Sequence, residues 1–295
     1  MKKILFKGAA SAVPTPFDEN GVNIKEFENF LNFQINNNID AIVVCGTTGE
    51  SSTMTKEEKI SAIKCAIKTS NGRVPVIAGT GSNNTIEAIK MSKIAEELGA
   101  DGLLIVTPYY NKTTQLGLIS HYKLIANNIN LPIIIYNVPS RTGINIEPKT
   151  CFELSKIKNI VAIKEASGNI SQVAQIANLC GNNLNIYSGN DDQAIPICSL
   201  GGLGVISVLS NIKPQFTHDM IYDFLNGNIE KAREKQIKAI PLINNLFSEV
   251  NPIPVKAALN NLGFKFGLPR LPLLEMSEEK RKKLFENLNN QKIKD

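Results

Sequence analysis

The chain has 295 residues and a formal net charge of +5, with 43% hydrophobic and 20% charged residues, so it can bury a substantial core as one or two α/β domains. Its basic residues are scattered, and its apolar runs fall well short of the ~20 residues of a membrane span, so we expect no nucleic-acid partner and no membrane insertion. Five cysteines without a C-x-x-C pair or a preceding secretory signal predict reduced thiols and a cytoplasmic protein.

Short apolar runs recur along the chain before about residue 210. Each is hydrophobic throughout rather than alternating, which favours strands that are buried on both faces, as in a parallel sheet. The runs occupy residues 9–13, 40–46, 74–79, 101–106, 131–137, 160–164, 184–189 and 203–208.

Helical patterns lie between these runs. Thr55 and Glu58 have the spacing of a capping box, and Gly72 follows the end of that helix. Asn84 is placed to cap a second helix, which we expect to end at Gly99. The inward face of this second helix is predicted to consist of Ile86, Ile89, Ile94 and Leu98.

The alternation of strand and helix, about eight times in some 225 residues, predicts an α/β fold of the (β/α)8 TIM-barrel type. A doubly wound open sheet is the main alternative, but "GTGSNN" at 79–84 is not the G-x-G-x-x-G motif that usually accompanies it. After about residue 225 the strand rhythm stops and only helical patterns follow. We therefore predict a catalytic barrel over 1–225 and a C-terminal α-helical domain over 226–295.

In such a barrel, reactive side chains follow the carboxyl ends of the strands. The stretch "VAIKEASGN" at 161–169 runs directly from a buried strand into Lys164. Because burial lowers the pKa of an amine, a lysine in this position is a candidate nucleophile for a Schiff base with a ketone. The alternative is a buried ion pair with a nearby acid, and the spacing alone favours neither interpretation.

Other strand ends supply hydroxyls and one guanidinium. Thr47, Thr48 and Tyr136 are candidates for proton relay, although the threonines also suit a turn and the tyrosine a core position. Arg141 suits a substrate carboxylate or, equally, a salt bridge that braces its loop. The two histidines are not in a metal-ligand spacing, so we expect no histidine-based metal site. Schiff-base chemistry on a lysine needs no metal, and we expect no cofactor.

Several of these strand ends carry motifs that match, in order and over nearly the whole chain, those of one family. The motifs are "GTTGES" (46–51), "TPYYN" (107–111), "YNVPSRTG" (136–143), "IKEASGN" (163–169), "SGNDD" (188–192), "GVISV" (204–208) and "NPIPVK" (251–256). With them the chain resembles the dihydrodipicolinate synthase family, one branch of the pyruvate-dependent class I aldolases that also include N-acetylneuraminate lyase.

The resemblance implies condensation of pyruvate with L-aspartate-4-semialdehyde to 4-hydroxy-tetrahydrodipicolinate, the first committed step of lysine and diaminopimelate synthesis. The double threonine and Arg141 look like the synthase branch, whereas a sugar-aldehyde lyase would carry small or hydroxyl residues at the arginine position. Another pyruvate-dependent aldolase, such as N-acetylneuraminate lyase, remains the alternative. A catalytically silent barrel that binds a keto acid is a third possibility, which the intact residue set argues against.

The resemblance also implies roles for individual residues. Lys164 would form the imine with pyruvate, and Tyr136 would be the central proton-transfer residue. Thr48 would link that tyrosine to Tyr110, which a neighbouring subunit inserts in many family members. Such members form a dimer of tight dimers, so we expect a homotetramer.

The remaining residues of the predicted site bind substrate. Thr47 would help to hold the pyruvate carboxylate, and Arg141 would bind the carboxylate of the semialdehyde. Gly189 and Ile206 would line the pyruvate pocket.

Some family members bind lysine as a feedback inhibitor at a dimer interface. The matching positions in this chain are Ser51, Ser52, Lys56, Lys59, Asn83, Glu87 and Tyr109. Lysine-sensitive bacterial members commonly have histidines where this chain has Lys56 and Lys59. Two more cations beside a cationic ligand are repulsive, so we predict weak or absent inhibition by lysine.

Overall fold

The core of the computed structural model, which describes residues 2–290, is a closed barrel of eight parallel strands. The strands in chain order are β1 (Gly8–Ala12), β2 (Phe17–Asp18), β3 (Gly21–Val22), β4 (Ala41–Val44), β5 (Val76–Gly79), β6 (Gly102–Val106), β7 (Ile133–Asn137), β8 (Ile160–Glu165), β9 (Asn185–Ser188) and β10 (Gly204–Ser207). The barrel closes in the order β1-β10-β9-β8-β7-β6-β5-β4. Each predicted apolar run supplies one barrel strand, so the prediction of a (β/α)8 barrel is confirmed.

The strands β2 and β3 form a small antiparallel hairpin outside the barrel. No apolar run in the sequence predicts this hairpin. Each strand has two residues, which is too short for any apolar periodicity to register.

Helices surround the barrel and extend beyond it. Within residues 2–290 they are α1 (Ile24–Asn36), α2 (Lys56–Ser70), α3 (Thr85–Leu98), α4 (Gln115–Asn127), α5 (Pro139–Thr142), α6 (Pro148–Ser155), α7 (Ile170–Cys180), α8 (Ala194–Ser199), α9 (Pro214–Leu225), α10 (Ile229–Leu246), α11 (Ile253–Asn261) and α12 (Glu278–Asn290). Short 3-10 turns occur at Ser51–Thr53, Gly181–Asn183, Asp191–Gln193 and Leu209–Asn211. None of these helices is long and apolar enough to cross a membrane.

The helix ends follow the predicted capping chemistry. Thr55 and Glu58 form a reciprocal capping box at the start of α2, and Asn84 caps α3 by accepting from two backbone N–H groups. The prediction that Ile86 faces inward is wrong, because this side chain is 52% exposed. The buried face of α3 is made instead by Ala88, Ile89, Ser92 and Ala95, and Ile86 in the first turn lies off that stripe.

Two apolar layers hold the barrel together. One fills the space between strands and helices, and the other fills the barrel interior with alternate residues of the strands. The interior layer includes Ala162 and Ala166 of the chain around β8, and Ile134 and Tyr136 of β7. Because side chains alternate along a strand, Lys164 between the two alanines points into the same interior.

The C-terminal helices pack on one another and on the barrel helix α9, with α10 lying against α9 and α12. The division into 1–225 and 226–295 remains a prediction, and its boundary falls in the short connection between α9 and α10. Residues 291–295 of the predicted C-terminal domain lie outside the described residues.

Candidate active site

A cavity of about 170 Å³ opens at the carboxyl ends of the barrel strands. Its walls combine small, hydroxyl-bearing and charged residues with a few apolar ones. The lining residues are Ala12, Val43, Gly46, Thr47, Thr48, Leu104, Tyr136, Val138, Ser140, Arg141, Lys164, Ala166, Gly189, Asn190, Val208, Phe247 and Asn251. The structure therefore brings Lys164, Tyr136, Thr47, Thr48, Arg141 and Gly189 together in one cavity, as the sequence predicts for their positions.

Lys164 lies in this cavity as a nearly enclosed amine. It is 6% exposed, its strand neighbour across the β7–β8 ladder is Tyr136, and its Nζ lies 4.5 Å from the centre of that tyrosine ring. Among the described residues it forms no ion pair within 4.0 Å. Burial lowers the pKa of Lys164 to about 8, with Arg141 adding to the fall and Asp191 opposing it. An appreciable fraction of the amine is therefore neutral near pH 7.

The neighbouring acid Glu165 does not pair with this lysine. It faces out of the barrel, where its carboxylate accepts hydrogen bonds from Asn137 Nδ2 (2.9 Å), Gln172 Nε2 (3.3 Å) and the Ser167 amide (2.7 Å). The alternation of side chains along β8 separates the two residues. An ion pair with the adjacent acid thus does not explain the position of Lys164.

Gly189 leaves the room that the lysine side chain needs. Its amide donates to the Glu165 carbonyl at 2.8 Å, which draws the loop after β9 against β8. A Cβ at this position would lie 3.0 Å from Lys164 Cε and 2.7 Å from Ala166 Cβ. Only a residue without a side chain fits this approach without displacing the amine.

Thr47 and Thr48 stand in a tight turn, where the Glu50 amide donates to the Thr47 carbonyl at 3.1 Å. Both threonines also line the cavity, so the same two residues form the turn and contribute to the candidate site. Burial raises the pKa of the Tyr136 phenol, and the charge of Arg141 and the Thr47 side chain oppose that rise. The phenol therefore remains protonated near neutral pH, able to donate and to accept a hydrogen bond.

Arg141 sits on the short helix α5 at the rim of the cavity. It is exposed and, within the described residues, has no salt-bridge partner, so a loop-bracing salt bridge does not account for it. Its Nη2 donates a long hydrogen bond of 3.4 Å to the Asn251 carbonyl. The rest of the guanidinium fork is available to a carboxylate at the cavity mouth.

Two further residues belong to the site or lie directly behind it, and the sequence alone does not predict either. Asn251 donates from Nδ2 to Thr48 Oγ1 at 2.9 Å, while its own Oδ1 is buried without a partner within residues 2–290. Asp191 is a buried carboxylate behind the cavity wall whose charge acts on Lys164. They lie in the motifs "NPIPVK" and "SGNDD", but residue spacing does not determine the direction of a side chain in a loop.

Two predicted residues lie outside the cavity lining. Tyr110 is 92% exposed, with a φ of 71°, and does not reach the cavity of its own chain. Ile206 is 1% exposed and pairs with Ala10 in the β1–β10 ladder, where it belongs to the barrel interior. The single chain thus leaves the predicted contact between Tyr110 and Thr48 unmade.

A second cavity of about 260 Å³ lies beside α2 and α3. Among its lining residues are five of the positions predicted for a lysine site: Ser51, Lys56, Lys59, Glu87 and Tyr109. Asn83 donates to the Tyr109 carbonyl at 3.1 Å and lies beside this cavity rather than in its lining, and Ser52 is exposed on the adjoining turn. Glu87 is already paired with Lys90 at 2.7 Å.

Across residues 2–290, no group of three or more histidine, cysteine, aspartate or glutamate side chains is arranged to hold a metal ion. The cysteines are free and buried.

A (β/α)8 barrel that holds a buried amine of lowered pKa beside a tyrosine at its mouth has the architecture of a Schiff-base-forming enzyme of the class I aldolase type. The model of the Dihydrodipicolinate synthetase family matches residues 5–291, and the chain belongs to this family. The resemblance predicted from the motifs is therefore confirmed.

Individual relatives agree over nearly the full length. The chain is 59% identical over 278 residues to a protein of Caldicellulosiruptor bescii named 4-hydroxy-tetrahydrodipicolinate synthase, covering 94% of each chain. A solved structure of chloride-inhibited dihydrodipicolinate synthase from Acinetobacter baumannii, complexed with pyruvate, is 41% identical with a TM-score of 0.94, over 96% of this chain and 98% of that one. Another, described as the first monomeric dihydrodipicolinate synthase variant, is 41% identical with a TM-score of 0.95, over 97% and 96%.

Proposed function

We propose that this chain is a 4-hydroxy-tetrahydrodipicolinate synthase, which condenses pyruvate with L-aspartate-4-semialdehyde through a Schiff base on Lys164 and thereby opens the route to lysine and diaminopimelate. The observation that carries the proposal is the buried amine of Lys164 at the carboxyl end of β8, which has no ion-pair partner within residues 2–290 and whose pKa is lowered to about 8. The family to which the chain belongs and the names of its relatives give the reaction.

In the first half-reaction, the neutral amine of Lys164 attacks the carbonyl carbon of pyruvate. The C=O oxygen leaves as water, one proton is taken up, and a protonated imine remains. Tyr136, whose ring lies against Nζ, is placed to pass protons during loss of water. Thr47 and Thr48 line the same wall and hold the pyruvate carboxylate and the phenol in register.

In the second half-reaction, the imine draws electrons from the adjacent methyl carbon, which loses a proton and becomes an enamine. That carbon attacks the aldehyde carbon of the second substrate, whose oxygen takes up a proton to become a hydroxyl. The amine of this substrate then replaces Lys164 on the imine carbon, which closes the ring and frees the lysine. Arg141 at the rim holds the substrate's carboxylate by a bidentate hydrogen bond. Gly189 and Ile206 shape the pyruvate end of the site, the first by admitting the lysine and the second by filling the interior beneath it.

The full relay requires Tyr110 of a neighbouring subunit beside Thr48, as the family resemblance implies. The exposure of Tyr110 on the isolated chain supports this arrangement, since 92% exposure leaves its side chain free to enter a partner. We therefore propose a homotetramer built from tight dimers, in the cytoplasm, where free buried cysteines remain reduced. Sedimentation combined with an assay tests the assembly, and a fully active monomer would contradict it.

Lysine should inhibit this enzyme weakly or not at all. The cavity beside α2 and α3 has Lys56 and Lys59 in its lining, and its acid Glu87 is already paired with Lys90. A cationic ligand in this cavity is repelled by the two lysines, and the carboxylate that could bind it is already neutralised by Lys90. Inhibition at sub-millimolar lysine in a turnover assay would refute this expectation.

Borohydride trapping tests the proposed chemistry directly. The protein is incubated with pyruvate, reduced, and mapped by peptide mass, and a single adduct on the Lys164 peptide is expected. The peptide that carries Lys256, a second buried lysine, is the internal control and should remain unmodified. The aldehyde is then identified by offering aspartate semialdehyde beside sugar aldehydes. No adduct, or adducts spread over surface lysines, would overturn the proposal.

A further inference from the structure

Asp191 is a charged residue of the site that the reaction scheme above does not use. It is the first residue of the 3-10 turn that follows β9, and it is 2% exposed. Its Oδ2 accepts hydrogen bonds from the Val208 and Leu209 amides, each at 2.9 Å. Burial raises the pKa of Asp191, and the Ser207 side chain and the two backbone donors oppose that rise because they stabilise the ionised carboxyl.

The carboxylate lies directly behind the wall of the active-site cavity. Asn190, which precedes Asp191, and Val208, which donates to it, both line that cavity. The second oxygen, Oδ1, is buried without a hydrogen-bond partner among the described residues. An unpartnered carboxylate oxygen in this position needs a compensating positive charge nearby.

Lys164 supplies that positive charge. The charged groups that act on its amine from the surrounding elements are Asp191, after β9, and Arg141, on α5, and the neighbouring titratable group is Tyr136 on β7. Of these, Asp191 alone is an anion. Within residues 2–290 it lies too far from Lys164 for a direct ion pair, since no contact within 4.0 Å joins them. The amine therefore remains free to react, while the charge of the carboxylate acts on it across the cavity wall.

We propose that Asp191 is a positioning residue whose buried carboxylate is the counter-charge for the nitrogen of Lys164 in its two cationic states, the ammonium and the protonated imine. The proposal rests on the Schiff-base function of Lys164. An ammonium that reacts with a ketone gives a protonated imine and one water, so the nitrogen carries one positive charge before and after the step. A fixed anion compensates both states without being displaced by substrate.

The main chain of Asp191 is held by the C-terminal helices, because its carbonyl accepts from Gln236 Nε2 of α10 at 3.0 Å. The adjacent residue Asp192 offers a matched control, since it has the same charge one position along the chain but is exposed. Solvent screens an exposed charge, so Asp192 should have little influence on Lys164.

The test measures the pKa of the Lys164 amine in the absence of substrate. The full-length protein is labelled with traces of acetic anhydride across a pH series, and the labelling of the Lys164 peptide is followed by mass spectrometry. In the wild type the midpoint is expected near pH 8. In Asp191→Asn it should fall by about one pH unit, because loss of a nearby anion destabilises the ammonium, whereas Asp192→Asn should leave it unchanged.

An unchanged midpoint in Asp191→Asn, or an equal shift in Asp192→Asn, would overturn the proposal. If the asparagine variant does not fold, Asp191→Ser, which is smaller and also neutral, must give the same downward shift. The labelling uses no pyruvate, so a failed Schiff-base function appears separately, as a wild-type protein that traps no adduct. A purely structural role for Asp191 would lower the melting temperature without moving the midpoint.

Discussion

Lys164 and Lys256 are both lysines buried in the same chain, 6% and 1% exposed, yet they lie in opposite electrostatic settings. Lys256 on α11 donates to Glu50 at 2.8 Å and to the Leu268 carbonyl at 3.1 Å, and its Nζ lies over the ring of Phe17. Lys164 has no such partner in the described part of the chain and faces a cavity. Burial lowers the pKa of both amines, but Glu50 opposes the fall at Lys256 at close range.

The difference shows that burial alone does not make a lysine reactive. A paired ammonium is held in its charged form, where it has no lone pair to attack a ketone, and it serves to join two parts of the fold. An amine that lacks a close anion, and that has space beside it, becomes a nucleophile at moderate pH. Removing each of the two lysines in turn is therefore a direct way to examine the proposed function.

The largest effect is expected on turnover in Lys164→Met. Loss of the nucleophile should lower kcat/KM at least about a thousandfold, because the remaining groups cannot form the imine. Steady-state assay of condensation measures the loss, and circular dichroism should show an unchanged fold. A variant that retains near wild-type turnover would remove Lys164 from the mechanism.

The matching substitution Lys256→Met should act on stability instead. It leaves Glu50 buried without its cation, which typically costs about 3–5 kcal/mol. Denaturant unfolding measures the change. The surface pair Lys283–Glu279, whose side chains are 63% and 80% exposed, is the control, and Lys283→Ala should leave the free energy of unfolding nearly unchanged. Equal losses in the two variants would mean that the buried pair contributes no more than a surface pair.

A smaller loss of activity is expected from Gly189→Ala. The added methyl would stand 3.0 Å from Lys164 Cε, so the amine must shift, and a displacement of this kind reduces the rate by roughly a hundredfold. In Gly46→Ala, another cavity position, the methyl meets only Val43 Cγ1 at 3.8 Å, so the loss should be smaller. Borohydride trapping rates of the two variants provide the comparison, and equal rates would contradict it.

The smallest effect concerns the stability of Lys164→Met. Because the folded-state pKa of Lys164 is about 8 against an ordinary 10.5, the wild type bears the cost of a buried charge below pH 8. Between these two pH values the unfolded chain binds more protons than the folded one. The free energy of unfolding of the wild type therefore increases as the pH rises. Relative to the variant, the wild type should therefore gain roughly 2–3 kcal/mol of unfolding free energy between pH 7 and pH 10. Loss of the positive charge beside Asp191 adds an offset that stays constant over this pH range. Melting curves at both pH values decide whether it does.

Much of this molecule could be predicted from sequence because its signals are local. Continuous apolar runs give strands that are covered on both faces, and the Thr55 and Asn84 caps give helix starts. The residues of the cavity follow from position at strand ends, since a parallel barrel gathers all its carboxyl ends at one mouth.

What could not be predicted depends on contacts distant in sequence. Asn251 reaches Thr48 from 203 residues away, and no local pattern specifies which way its amide points. The pairing of Glu50 with Lys256 joins two of the family motifs, but no local pattern predicts that these two side chains meet. Ile86 fits a helical stripe by spacing, but the orientation of α3 on the barrel leaves it exposed. The contact of Tyr110 with a partner remains a prediction.

The pairing of Glu50 with Lys256 has a consequence for how the protein is made. Glu50 adjoins the threonine turn of the active site, and its carboxylate also accepts from the Arg270 amide, so both of its partners are synthesised more than 200 residues after it. Until both partners emerge from the ribosome, the Glu50 carboxylate lacks the hydrogen bonds and the positive charge that compensate its burial in the complete fold. The threonine turn beside the cavity therefore depends on α11 and the segment around Arg270, and a nascent chain that ends before residue 256 lacks both contacts even when all its barrel strands have been made.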